Sequence, residues 1–479
     1  MSGTPATSPL RLAVVGSGIS GLTCAHLLGD IHDVTLYEAD PRLGGHSNTV
    51  EVDDPSAGAL GVDTGFIVYN DRTYPNLVRL FAELGVGAVD TEMSFAVTDH
   101  ESGFTYRATN PNTLLARRRN LVDPDLWRML ADIVRFYRHG RRFLRRPDPT
   151  VTVADFLADG GYGRAFVDLH LIPMGAAVWS ANPATFDAYP AASLLAFLDN
   201  HGLLGIGDRP RWRTVAGGSR RYVQAIADRF SGTIRTGTRV DAVTRYDDHV
   251  IVTTRHGSDR YDQVILAGHS DQSLAALTDP TPAETRRLGA IRYQPNRATL
   301  HTDTGLLPPA RRAWAAWNYE RLPSTGTPGR AVPPAAETVL PAAGAVPPAA
   351  ETVLPAAGAV PPAVVPELPA VVPNQAVSSA SRDGAVITYD LSTLQRLGGS
   401  RRYLVSLNAE HRVRPRTIIA SFDYAHPVFD RAAVAAQAEV AAANGDRRTW
   451  FCGAWLGHGF HEDGLNSALS VCRRLGATW

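Results

Sequence analysis

Residues 11–38 read RLAVVGSGISGLTCAHLLGDIHDVTLYE, and the fold follows from this stretch. Leu12–Val15 is a short apolar run of the kind that forms a buried parallel strand. Gly16-Ser17-Gly18-Ile19-Ser20-Gly21 then satisfies G-x-G-x-x-G, and Leu22, Ala25 and Leu28 repeat at helical spacing. DVTLY reads as a second strand, closed by Glu38, 22 residues after Gly16. Strand, glycine turn, helix, strand and acid in this order predict a dinucleotide-binding βαβ unit. Gly16 permits the tight turn, Gly18 lets backbone approach a pyrophosphate, and Gly21 allows close helix–strand packing. The helix N-terminus faces the anion, and Glu38 is placed for the ribose hydroxyls.

Farther along, 71–205 reads as mainly helical and 233–270 as strands, while WFCGAW followed by FHEDGLNSALSVCRRLG repeats the strand-to-helix pattern. In that last helix acids stand at the start and arginines near the end, as the helix dipole favours. Nucleotide-domain pieces at the start, middle and end predict an α/β protein with interleaved domains. The expected division is a Rossmann-like dinucleotide-binding domain from 9–70, 206–270 and 446–479, interleaved with an α+β substrate domain from 71–205, 271–321 and 383–445. Residues 322–382 are Pro/Ala-rich, with AVPPAAETVLPAAG at 331–344 and again at 345–358. Such a repeat cannot hold a packed core and is expected to be a disordered, solvated insertion.

The 479 residues carry 47 basic and 47 acidic groups, so the whole chain makes no electrostatic case for nucleic acid. Every basic residue is Arg. Lysine Schiff bases and a P-loop lysine are therefore excluded. Cys24, Cys452 and Cys472 form neither a disulfide framework nor a metal site, and no nucleophile elbow is present. No metal is expected. No apolar run is long enough to span a bilayer, and Leu12–Val15 is too short for a signal-peptide core. The expectation is a cytoplasmic protein. Residues 107–146 hold 11 arginines interleaved with Leu126, Trp127, Phe136 and Phe143. That pattern fits either a solvated helix face with a core stripe or peripheral contact with anionic lipid at the inner membrane face.

Six further stretches carry a resemblance: GGHSNTVEV, GVDTGFIVYNDRTYPNLVRLFAELGV, IPMGAAVWSA, YQPNRATLHTD, RRAWAAWNYE and FCGAWLGHGFHEDGLNSAL. Together they resemble the flavin-containing amine oxidase superfamily, which includes monoamine oxidases and phytoene desaturase. Within it the chain looks most like a bacterial group of amine-oxidase-like proteins associated with cyclopropane-fatty-acid-synthase-like genes. The resemblance implies FAD as cofactor, held by Gly16, Ser17, Gly18, Ile19, Ser20, Gly21 and Glu38. It further implies Arg42, Gly44, Gly45, His46, Asp63, Thr64, Gly65 and Phe66 along the pyrophosphate-to-flavin path, and Val240 at the adenine. Gly453, His461, Glu462, Asp463, Gly464 and Leu465 match the second flavin-binding stretch.

Candidate substrate residues are Phe66, Tyr69, Asn70, Met174, Trp179, Trp314, Trp317, Asn318 and Tyr319. Tyr69, His458 and His461 are candidates for proton handling. Two departures stand out. Superfamily amine oxidases generally place a lysine near the flavin, which this chain lacks, and the glycine pair is followed by His46 where many members have arginine. The expected function is removal of hydride by FAD from an apolar, acyl-lipid-related small molecule. The alternatives are a peroxide-forming amine oxidase, a redox-neutral fatty-acid isomerase, and a non-catalytic flavoprotein partner of a lipid-modifying enzyme.

Overall fold

The computed structural model describes residues 8–179, 183–205, 207, 210–323 and 385–479. The expected Pro/Ala insertion falls almost entirely outside the described residues.

Arg11–Val15 forms the central strand of a five-stranded sheet. Its order is Thr233–Arg235, Asp33–Tyr37, Arg11–Val15, Gln263–Leu266, Thr449–Phe451, and every pairing is parallel. Strands from the beginning, middle and end of the chain thus share one sheet. Leu12, Val14, Leu36 and Ile265 are almost fully buried. They pack with Leu22 and Leu28 of the helix Ile19–Leu28 and with Leu465 and Leu469 of the C-terminal helix His461–Arg474. A three-stranded antiparallel sheet over 240–261 flanks this core.

The second sheet has seven strands, in the order Ile418–Val428, Arg292–His301, Leu404–Leu407, Ala385–Asp390, Trp317–Arg321, Phe95–Asp99, Thr105–Arg107. All its pairings are antiparallel except Trp317–Arg321 with Phe95–Asp99. Arg321 and Ala385 are cross-strand partners, although 63 residues lie between them in sequence. The helices Pro124–Phe143, Val153–Gly160 and Ala191–Asn200 close a core over this sheet around Phe136, Phe156 and Leu195.

The segment expected to be mainly helical, 71–205, differs from that expectation in two ways. It contributes the strands Ala88–Asp90, Phe95–Asp99 and Thr105–Arg107, each too short to register as a period of two among longer helical patterns. Its first helix, Pro75–Leu84, buries Leu77, Leu80 and Phe81 in the nucleotide-domain core rather than against the second sheet.

Candidate functional site

A single cavity of about 1120 Å³ runs from the carboxyl ends of the parallel strands to the face of the seven-stranded sheet. Its first half is built from glycines whose space is accounted for atom by atom. Gly16 adopts φ +102°, and a Cβ on Gly21 would fall 1.8 Å from the Gly16 carbonyl oxygen. The turn and the helix therefore touch backbone to backbone. Gly18, the N-cap of that helix, has no atom within 4 Å of a built Cβ and faces open cavity. Gly44 donates its N–H to the Ser17 carbonyl, and a Cβ on Gly45 would lie 3.3 Å from the Gly18 Cα, so the two glycine loops converge. Glu38 Oε2 accepts from Ser17 N at 2.9 Å, which points the carboxylate at the cavity wall it helps to form.

Thr64, Gly65 and Phe66 continue this wall, and a Cβ on Gly65 would fall 2.2 Å from the His46 carbonyl oxygen. The Phe66 ring stacks on His461 at 3.6 Å, and His461 Nε2 meets Ser47 Oγ at 3.0 Å. Burial pushes the His461 imidazole down to about 3, so it is neutral at physiological pH. Val240 and Gly453 also line the cavity, as do Ile19, Ser20 and His458.

Across the cavity, the strand Ile418–Val428 presents Tyr424 and His426, neither of which stands out in the sequence. Tyr424 stacks on His46 at 4.7 Å and bonds Thr64 Oγ1 through its hydroxyl at 2.9 Å. Asn296 Nδ2 lies 2.7 Å from His426 Nδ1, and Asn408 Nδ2 donates to Asn296 Oδ1 at 2.8 Å. With the Asn296 amide donating, His426 Nδ1 is the acceptor and its proton resides on Nε2. Burial lowers this imidazole to about 4. His269, stacked on Tyr293 at 4.3 Å, completes a histidine-rich wall. The available signal is the period-two spacing of Tyr424 and His426, but which face meets the cavity depends on the pairing of that strand.

Several expected residues stand behind the wall instead. Asp63 accepts from Thr49 Oγ1, Ser219 N and Gln395 Nε2, and burial still raises its carboxyl to about 6. It braces the Thr64–Phe66 loop. Tyr69 is buried between Phe66 and Phe81, and Asn70 Oδ1 caps the next turn by accepting from Arg72 N and Thr73 N. Glu462 receives Asn76 N and Leu77 N, Asp463 receives Phe460 N at the start of its own helix, and Leu465 is core. Gly464 is a contact point, where a Cβ would lie 2.8 Å from Ile19 Cγ2.

In the second half of the cavity, Met174, Trp179 and Trp317 line the wall with Met93, Phe197 and Tyr389. Trp314 does not. Its indole N–H donates to Pro308 O, and its ring lies between Arg311 and Arg402. Asn318 bonds Ala315 and the Thr388 carbonyl, and Tyr319 is core. The exposed charges Asp90, Glu92 and Arg211 mark a rim at this end.

The sequence matches the family of flavin-containing amine oxidoreductases over residues 19–309. The chain belongs to that family. As a flavin-containing amine oxidoreductase it is 25% identical over 283 residues to the flavin-dependent L-tryptophan oxidase RebO of Lentzea aerocolonigenes, covering 52% of this chain and 54% of the relative. It is 27% identical over 191 residues to the 15-cis-phytoene desaturase of Capsicum annuum, covering 37% of this chain and 32% of that protein. The chain spans about half or less of the length of these curated relatives. Its fold is similar to that of a fatty acid isomerase from P. acnes (TM-score 0.64, 15% identity, 98% and 100% of the two chains). It is also similar to putrescine oxidase bound to putrescine (TM-score 0.61, 14% identity, 98% and 99%).

FAD is the cofactor of the family, and the residues present fit it. The buried Arg42 Nη1 and His46 Nε2 have no hydrogen-bond partner among the described residues, in a cavity half whose glycines leave room for a pyrophosphate. No group of His, Cys, Asp or Glu among the described residues could hold a metal ion.

Proposed function

We propose that this protein is an FAD-dependent oxidoreductase that removes hydride from a carbon of an apolar, acyl-lipid-like substrate. The observation that carries this reading is the continuity of the cavity. The half fitted to the cofactor opens directly into one walled by Met93, Met174, Trp179, Phe197 and Tyr389, with its charges confined to the rim. FAD bound there supplies a two-electron acceptor at the junction of the halves. Gly18, Gly45 and Arg42 would hold its pyrophosphate, Glu38 its ribose, and the His461–Phe66 stack would support the ring region. Trp179 and Trp317 would align a chain against that ring. The neutral His426 would hold its Nε2–H toward the reacting region, and His458, on the same cavity wall, would be placed to take the proton that leaves the substrate with the hydride. An amine would find aromatic faces in the apolar half but no buried carboxylate among its described lining residues, so the test sets amines beside lipids.

Anaerobic titration of the yellow protein tests the reading. Bleaching of the flavin absorption by unsaturated or saturated acyl lipids, and not by primary or secondary amines, is the expected result. Bleaching by amines alone would overturn it. A double-bond shift in the lipid without net bleaching would assign the site to redox-neutral isomerisation, the kind of reaction for which the P. acnes fatty acid isomerase is named.

A further inference from the structure

Residues 117–146 carry ten arginines against three aspartates. Asp125 pairs with Arg128, Asp132 pairs with Arg135, and Asp123 caps the helix Pro124–Phe143. Arg118, Arg138, Arg142, Arg145 and Arg146 form no ion pair among the described residues, and all five are exposed. Beside them lies apolar surface that a soluble face does not need. Val122 is 81% exposed, Leu121 54% and Trp127 52%. The Trp127 indole N–H donates to the Leu121 carbonyl at 2.9 Å, so the short helical turn Arg118–Val122 and the long helix form one surface. At 3.6 residues per turn, Trp127, Ala131, Arg138 and Arg142 fall within about 60° of one another on that helix. Its opposite face buries Leu126, Met129 and Phe136.

We infer that this face docks on an anionic phospholipid bilayer. Leu121, Val122 and Trp127 would enter the headgroup–acyl boundary, and the unpaired arginines would lie along lipid phosphates. The excess of guanidinium groups supplies the charge complementarity, and the three protruding apolar side chains distinguish a bilayer from nucleic acid, which offers them no apolar phase. The surface is also joined to the cavity rim through one hairpin. Ala108 and Thr109, just after its second strand, line the cavity, while Ser102 and Gly103 at its turn accept from Arg119 and Arg117. Docking would bring this hairpin, and with it one wall of the cavity, close to the bilayer in which an apolar substrate is dissolved. This deepens the reading of an apolar substrate but is tested apart from it, because vesicle binding is read without turnover.

The experiment is flotation of the full FAD-loaded chain with phosphatidylcholine vesicles, with and without phosphatidylglycerol. Binding to the anionic vesicles alone is expected. Val122→Asp combined with Trp127→Ser, and separately Arg138→Glu combined with Arg142→Glu, should each weaken it about tenfold or more. Unchanged flavin absorption and Tm in both double variants exclude misfolding, since all four side chains are exposed. Absence of binding to anionic vesicles overturns the inference. So does binding that the Val122/Trp127 pair leaves untouched, tight binding of duplex DNA in place of vesicles, or a lipid-free dimer that the same pair dissociates.

Discussion

Gly18 and Gly21 are glycines for different reasons, and the difference can be measured. Gly18 has φ −63° and open space around a built Cβ, so the protein itself tolerates a side chain there. Only the ligand would object. Gly18→Asp should leave the thermal unfolding of the apoprotein nearly unchanged while abolishing flavin absorption after FAD addition. Retained yellow colour would show that the cofactor lies elsewhere. At Gly21 the clash is with backbone, so Gly21→Ala should reduce soluble yield or Tm even without FAD. These roles are legible from the sequence because the motif constrains backbone. Side-chain roles are less legible. Asp63 and Tyr69 lie within the same recognisable run as Thr64, Gly65 and Phe66, yet their side chains point into protein, where they brace the loop. Tyr424 and His426 belong to no motif, and reach the cavity only through the pairing of Ile418–Val428 with Arg292–His301.

The C-terminal helix shows how one element serves two purposes. In sequence its acidic first turn reads both as a helix start and as part of the flavin-binding stretch. Asp463 serves the first purpose, closing its own N-terminus. Glu462 instead reaches across to cap the helix Pro75–Leu84, receiving Asn76 N at 3.0 Å and Leu77 N at 2.9 Å. A charged acceptor on two backbone donors is lost in Glu462→Gln, which sets an amide N–H against one of them. Denaturant titration should show destabilisation of about 1–3 kcal/mol. A lowered FAD affinity at unchanged stability would instead make Glu462 a cofactor ligand. No sequence period announces a cap donated by a helix almost four hundred positions away, and this is also why sequence alone does not place the helix Pro75–Leu84 with the nucleotide-domain core.

At the scale of the whole molecule, burial holds several imidazoles neutral, His46 and His269 among them. His170, His201, His301 and His426 are lowered to about 4, and His461 to about 3. In the unfolded chain each takes a proton near pH 6.5, so the unfolded state binds more protons below that value and stability falls with pH until the folded groups titrate. Each of these five contributes about 2 kcal/mol by pH 5, and more only as the pH falls on toward its folded value. Asp63, raised to about 6, acts in the opposite direction, as do Asp390, Glu462 and Asp463, whose carboxyls burial also raises. Tm should therefore drop between pH 7 and pH 5, with flavin released as it does. A flat or rising Tm over the same interval would show that these imidazoles are not buried neutral. The interleaved order of the two sheets is legible because strand-to-helix patterns recur at both ends of the chain. The shared cavity is not, since its walls come from strands whose neighbours no local pattern names. No helix among the described residues is long and apolar enough to cross a membrane.

Arg321 and Ala385 face each other on adjacent strands. The chain therefore leaves the sheet and re-enters it at the same rung, and topologically the connection is a hairpin whatever its length. The sheet does not count the residues in between. Closure entropy changes by only about 0.6 kcal/mol for each doubling of such a connection. In-frame gain or loss of a 14-residue AVPPAAETVLPAAG copy is therefore expected to leave the pairing of these two strands unchanged. Replacing 324–384 with a short Asn-Gly turn should leave the flavin spectrum unchanged. Loss of the spectrum would mean that the repeat had been recruited into the structure it interrupts.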